Sequence, residues 1–251
     1  MGQVKLGKLP ARFDDRTLQF GAYLTKKLKA PPPAVDYSKA VKRWPMMKND
    51  TYGDCTCAAA GHMIQEWTAN IGREHILTDA QILTAYRYFA GDNPDAGANM
   101  LDVLKYWRKT GIGGDRITAF AELEPMSDTQ ARDAVFLFGA CYIGVALPDF
   151  AVAGPNVLAT PWVVPPKGPI GDAAPNFRNG HCIPAVAYDT RNLYIVTWGA
   201  LKAMSWQFYL TYTEEAYAVL STDWINPKGK KAPSGFDFAT LLEDLAAVTS
   251  A

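Results

Sequence analysis

The stretch Asn49-Asp50-Thr51-Tyr52-Gly53-Asp54-Cys55-Thr56-Cys57 decides how this chain is read. A glycine, an acidic residue and a cysteine lead through Thr56-Cys57 into Ala58-Ala59-Ala60-Gly61-His62-Met63. Asp54 is expected to cap a helix from Cys55 to about Asn70, with Ala59, Met63 and Trp67 recurring at four-residue spacing. Cys55 then lies in a first helical turn, where free N–H groups and the macrodipole favour thiolate over thiol. Gly53 lets the backbone turn tightly and lets a substrate approach. A cysteine nucleophile also needs a base, and His181 follows 126 positions later, heading a strand after Asn179-Gly180.

Working outward, helix signals dominate as far as residue 137. Thr78-Asp79-Ala80-Gln81 is a capping box, with Leu77 and Ile82 placed as a hydrophobic staple, and predicts a helix to about Phe89. A third helix is expected over Met100 to Lys109, ending at Gly111. Ser127-Asp128-Thr129-Gln130 is a second capping box, opening a short helix to about Phe136. Strand signals follow over Ala140–Leu147, His181–Tyr188, Leu193–Trp198, Trp206–Tyr209 and Tyr217–Leu220. Residues 151–178 read as a Pro- and Gly-rich loop, Asp189 to Asn192 as a hairpin turn, and Phe236 to Val248 as a closing helix. Helices first and strands second indicate an α+β protein of two lobes.

Composition bounds the function. The 251 residues are 49% hydrophobic and 20% charged, as in an ordinary folded protein. With 25 basic residues against 25 acidic ones, the chain has no basic excess with which to neutralise phosphates, so a nucleic-acid partner is not expected. No apolar run is long enough for a membrane span, and the sequence from Met1 to Lys5 has no apolar core of a secretory signal. Four cysteines (Cys55, Cys57, Cys141, Cys182) are too few for a disulfide scaffold in a chain this long, and free thiols in a reducing compartment are the plainer reading. The spacing of cysteines and of His62, His75 and His181 offers no metal pattern, and no cofactor is expected. Residues 1–35 end in Ala30-Pro31-Pro32-Pro33-Ala34 and read either as an arm lying on the body or as a loose tail.

Gly53-Asp54-Cys55 at a helix start, with Asn179-Gly180-His181 opening a long hairpin, resembles the papain-like cysteine peptidases. Val35-Asp36-Tyr37 resembles that family's mature start, and Leu77-Thr78-Asp79-Ala80-Gln81-Ile82 one of its helices. Phe138 to Val145 and Tyr194-Ile195-Val196-Thr197-Trp198-Gly199 resemble two of its strands. These elements run collinearly over about residues 35–210. The resemblance implies a papain-like two-lobed α+β fold: a 1–35 extension and a 36–251 peptidase domain. Within the domain it implies a helical lobe over about 36–137, a β-rich lobe over about 138–235 and a closing helix over about 236–248. It also implies a cleft between the lobes, a peptide or protein substrate, and a nucleophile–base pair of Cys55 and His181. Asn49, six positions before Cys55, falls where the family has an oxyanion glutamine, and the general look is that of divergent bacterial or phage members.

The departures matter too. The family's third catalytic residue, an asparagine, falls on Val196, which cannot orient an imidazole; Thr197 is adjacent but strand alternation is expected to point it differently. The third role is therefore unassigned. Cys57 is the alternative nucleophile if the register is shifted. Asp54 disfavours a thiolate beside it. His62 is read as a core or interface residue, His75 as exposed, Cys182 as core, and Trp198 and Trp206 as shelters for the histidine or plain packing. Residues 1–35 are shorter than the family's usual inhibitory propeptide. The expected activity is hydrolysis of a peptide, isopeptide or amide bond, in a cytoplasmic or virion-associated setting. A catalytically silent binding scaffold and a peptidoglycan cross-bridge amidase are the alternatives.

Overall fold

The computed structural model describes residues 4–22, 30–124, 126–153, 157, 161–225 and 231–235. Helix α1 (Cys55–Asn70) runs through the middle of the molecule, and every residue from Cys55 to Thr68 is buried. A helix wrapped on all sides can be apolar on all sides, so α1 has no broad polar face. Its small residues allow close approach: a Cβ on Gly61 would meet Ile82 and Met47 side-chain atoms at 2.7 Å. Asp54 precedes α1 as expected, but its side chain makes no cap bond. Its carbonyl accepts from the N–H groups of Cys57 and Ala58, while its carboxylate is taken by Asn49.

Helix α2 (Asp79–Ala90) carries the full capping box, with Thr78 and Gln81 each bonding the other's backbone N–H. Helix α3 (Met100–Lys109) has the expected bounds and is capped by Asn99 Oδ1. Trp67 of α1 stacks on Trp107 of α3 at 5.6 Å between centroids. In helix α4 (Asp128–Phe138) only half of the second box forms. Ser127 accepts from Gln130 N–H, but Gln130 Oε1 takes the N–H of Glu124 instead of reaching back.

The sheet contains β1 (Leu18–Gln19), β3 (Ile117–Glu122), β4 (Cys141–Ala146), β5 (Gly180–Tyr188), β6 (Asn192–Thr197), β7 (Ala200–Ser205) and β8 (Thr213–Ser221). Their order is β1-β3-β8-β4-β5-β6-β7, and the short β2 (Val35–Asp36) pairs with the far end of β5. Several elements depart from the sequence reading, among them the edge strand β7, which it did not foresee. β3 arises inside the stretch read as helical, because Ile117, Ala119 and Ala121 meet β8 in antiparallel register. Trp206–Tyr209, read as a strand, belongs to helix α6 (Trp206–Tyr212): Ser205 caps it by accepting from Phe208 N–H, and Phe208 packs on Tyr212 at four-residue spacing. Between β4 and β5 the described part of the long connection holds the short helix α5 (Asp149–Val152) and 3-10 turns at Gly171–Ala173 and Phe177–Asn179. The closing helix expected over 236–248 lies outside the described residues.

Apolar side chains bury on both faces of the sheet. One cluster joins α1, α2 and α3 to Tyr142, Cys182, Val186, Val196 and Tyr217. The other joins α4 and α6 to Ile143, Ile183, Ala185 and Ile195. β5 therefore sends alternate residues to opposite clusters and is buried along its whole length. The amino end of α1 meets this strand where His181 and Cys182 stand.

Candidate active site

Cys55 opens α1 and faces the start of β5, where the Cys182 N–H bears on its thiol. Residue 57 is about 200° further round the helix. Cys57 is wholly buried in the cluster beneath, with its thiol held above the ordinary range by burial and by Asp54.

His181 is fixed on two sides. Its Nε2 lies 2.7 Å from Thr197 Oγ1, and the Trp198 indole stacks on its ring at 4.6 Å and 19°. Thr197 is thus the partner of the histidine, contrary to the expectation that it would point elsewhere. Alternation is kept: Val196 enters the α1 cluster, and Thr197 takes the opposite face, where the imidazole stands. β6 stops at Thr197, and Trp198 and Gly199 turn with φ of 46° and 69°, which swings the indole over the ring. Nothing in the spacing of residues signals such a left-handed tryptophan, though the adjacent Gly199 hints at a turn. His181 Nδ1 is buried with no hydrogen-bond partner among the described residues.

Asn49 is buried, and its amide donates to Tyr52 O at 3.2 Å and to Asp54 Oδ1 at 3.1 Å. It therefore stands at the foot of α1, tied to the residue beside Cys55. Asp54 itself is pushed up to about 8 by burial, against the opposing bond from Asn49.

The amino-terminal arm lies across this site. Gly7 and Lys8 N–H groups both donate to Gly180 O, at 3.2 and 3.1 Å. Ala98 N–H donates to Gly7 O and Leu9 N–H to Ala98 O, a parallel bridge centred on Lys8 and Ala98. Lys5 is held by Asn49 O and by the Trp198 indole N–H, and Pro10 O accepts from Asn99 Nδ2. Gly7 passes so close to Gly53 that a Cβ on it would fall 1.9 Å from Gly53 O. Under this strap Cys55 and His181 are each 1% exposed.

Burial sets the electrostatics. It pushes the Cys55 thiol up to about 12, reinforced by Asp54 and opposed by the N–H groups of Cys182 and Gly7 and by Lys8. His181 is pulled down to about 3 by burial and then by the Lys202 ammonium. Lys202 stands over the Trp198 and Trp162 rings and bonds Val157 O. With the arm in place the thiol and the imidazole are therefore each neutral.

The other marked residues serve structure. His62 Nε2 bonds Pro45 O at 2.8 Å in the core, and His75 pairs with Asp115 at 3.0 Å near the surface. Trp206 bonds Asp189 O, away from the histidine. Asp189 ties the β5–β6 turn through the N–H groups of Arg191 and Asn192. Among the described residues, no group of histidine, cysteine and carboxylate side chains could hold a metal, and no helix is long and apolar enough to cross a membrane.

Neither models of protein families nor the sequences of characterised proteins match the chain. Solved structures do. Xylellain, a cysteine protease from Xylella fastidiosa, superposes with a TM-score of 0.67 at 17% identity, covering 87% of this chain and 97% of that one. The cysteine protease CMS1MS2 of Carica candamarcensis gives 0.55 at 14% identity, over 76% and 99%. The proform of the ragweed pollen cysteine protease Amb a 11 gives 0.57 at 15%, over 86% and 72%. An open mixed sheet with α1 set against β5, shared with these proteins over most of its length, gives this chain the papain-like cysteine protease fold.

Proposed function

We propose that this chain is a thiol hydrolase that cleaves peptide or other amide bonds through Cys55 and His181, and that its own amino-terminal arm holds it latent. The observation that carries the reading is the setting of His181. Its Nε2 is bound to Thr197, Trp198 covers its face, and Nδ1 is left without a partner among the described residues, on the strand whose Cys182 N–H bears on the Cys55 thiol. For Nδ1 to accept a proton, Nε2 must carry the other one, and in that tautomer Thr197 Oγ1 accepts from it.

In the proposed cycle Cys55 gives its proton to His181 Nδ1, and the thiolate attacks the carbonyl carbon. The oxyanion is met by the Cys55 N–H and by Asn49, whose amide must release Tyr52 O or Asp54 to reach it. His181 then protonates the leaving amine as the C–N bond breaks. Water, giving its proton to His181, attacks the thioester, and the acid leaves as the thiol reforms. The 36–251 domain supplies all of these groups, and the 1–35 extension supplies the cover.

The test is hydrolysis of fluorogenic peptide amides by the full chain and by Gly7→Val, whose new side chain has no room beside Gly53. Turnover in Gly7→Val that disappears with Cys55→Ala supports the reading. Turnover that survives Cys55→Ala and falls with Cys57→Ala moves the nucleophile, and no turnover on any peptide amide favours a silent binding scaffold.

A further inference from the structure

Lys8, at the centre of the arm, buries its side chain completely. Its ammonium lies 2.8 Å from Glu214 Oε2 and 3.0 Å from Glu215 Oε1. Glu215 is itself buried and takes the Tyr217 hydroxyl on its other oxygen at 2.8 Å. The stem of the lysine runs over Gly144, where a Cβ would fall 2.3 Å from Lys8 Cε and 2.5 Å from Met100 Sδ. Glycine at this place in β4 is what leaves room for a long unbranched side chain. Among the described residues, no ion pair other than those with Lys8 reaches Glu214 or Glu215.

A buried carboxylate without a cation is costly, so this pocket calls for positive charge once the arm has left. Burial holds Glu215 above its ordinary range even with Lys8 present, and the same burial on Lys8 is outweighed by the two carboxylates, which hold it charged.

The arm also shows how an extended chain is gripped. Ala98 N–H and C=O and Gly180 C=O are the groups that pair with it, and any strand entering the cleft finds the same three. In a β-bridge the residue opposite Ala98 sends its side chain to the same side whichever way the strand runs. The polarity of the substrate follows from chemistry. The leaving amine must reach His181, on the flank where Trp198 and Lys5 meet, so the acyl half lies on the flank of Ala98 and Lys8. Gly7, whose N–H bears on the Cys55 thiol, marks the residue next to the broken bond, and Lys8 marks its neighbour.

Resting on the hydrolase reading above, we infer that the pocket of Glu214, Glu215, Gly144 and Met100 selects a lysine or arginine side chain at the second acyl-side residue of the substrate, with Lys8 as its internal stand-in. The test uses the full chain carrying Lys8→Glu, which repels the arm from the pocket, and aminocoumarin amides of acetyl-X-Ala with X as Lys, Arg, Leu or Glu. The Lys and Arg substrates are expected to exceed Leu by about tenfold or more in kcat/KM, with Glu the poorest. Adding Glu214→Gln and Glu215→Gln should bring the Lys-to-Leu ratio close to one. A preference for Leu, or a Lys preference untouched by the two glutamines, overturns the assignment. If Lys8→Glu does not fold, Gly7→Val releases the arm without altering the pocket. If no amide is cleaved, the hydrolase reading fails, and the pocket is then judged by binding to the Cys55→Ser, Lys8→Glu chain. A fluorescein-labelled Ala-Lys-Ala-Ala peptide should bind about tenfold tighter than its norleucine counterpart, and equal binding refutes the pocket.

Discussion

Thr197 Oγ1 and His181 Nε2 lie 2.7 Å apart, so the side chain that meets the histidine is a threonine one position beyond the valine that sequence register points to. In the tautomer the proposed chemistry needs, Nε2 carries the proton and this hydroxyl accepts it, leaving Nδ1 to face a nucleophile.

Removing that hydroxyl separates its role from packing. In the Gly7→Val background, Thr197→Val keeps the volume and is expected to lower kcat by about 10- to 100-fold, some 1.4–2.7 kcal/mol of barrier. Thr197→Ser should restore most of it. Equal rates for the valine and serine variants would place the orientation of His181 elsewhere.

Acid should weaken the fold through buried histidine. His62 is pulled down to about 4 by burial, against the bond to Pro45 O, from an ordinary 6.5. The unfolded chain takes up a proton below 6.5 and the folded one only near 4, so stability falls as pH drops across that window, by an amount on the order of 3 kcal/mol. His181, held still lower by burial and Lys202, acts in the same direction. Asp54, raised to about 8 by burial, acts oppositely: its contribution is complete below 3.8 and is lost as pH rises through 8. Urea unfolding from pH 4 to 7 should show a shallower acid slope in His62→Gln than in wild type; parallel slopes would show that His62 does not titrate in this way.

Tyr142 ties the start of α1 to β4. Its hydroxyl, wholly buried, donates to Thr56 O at 2.7 Å, one residue from Cys55. Tyr142→Phe is expected to cost about 1 kcal/mol of unfolding free energy by urea denaturation. An unchanged midpoint would mean that α1 is positioned by packing alone.

Local chemistry was legible in the sequence where no neighbour competed for it. The Thr78–Gln81 box forms as written, and α3 has the bounds its pattern implies, because caps and apolar spacing act within a few residues. What failed depends on competing or distant partners. β3 is a strand because β8 lies beside it, and Asp54 leaves its cap because Asn49 takes the carboxylate. Thr197 was hidden because the imidazole stands on the sheet face opposite Val196, and the path of the arm by its reliance on Gly180, Ala98 and a Gly7–Gly53 contact that no local pattern encodes. Lys8 reads as one more surface lysine until Glu214 and Glu215, more than 200 positions away, are placed around it.

The central claim is a Cys55–His181 pair silenced by its arm, and alkylation reads it without any knowledge of substrate. Iodoacetamide labelling at each cysteine, followed by mass spectrometry at pH 6 in wild type, Gly7→Val and Gly7→Val with His181→Ala, is the most direct measurement. The account predicts slow labelling throughout the wild type, since burial holds its Cys55 thiol at about 12. It predicts Cys55 labelling at least about tenfold faster in Gly7→Val, as hydration returns the thiol towards a pair with the imidazole, and loss of that gain with His181→Ala. Labelling of Cys55 that stays slow after the arm is displaced, or that is indifferent to His181, contradicts it.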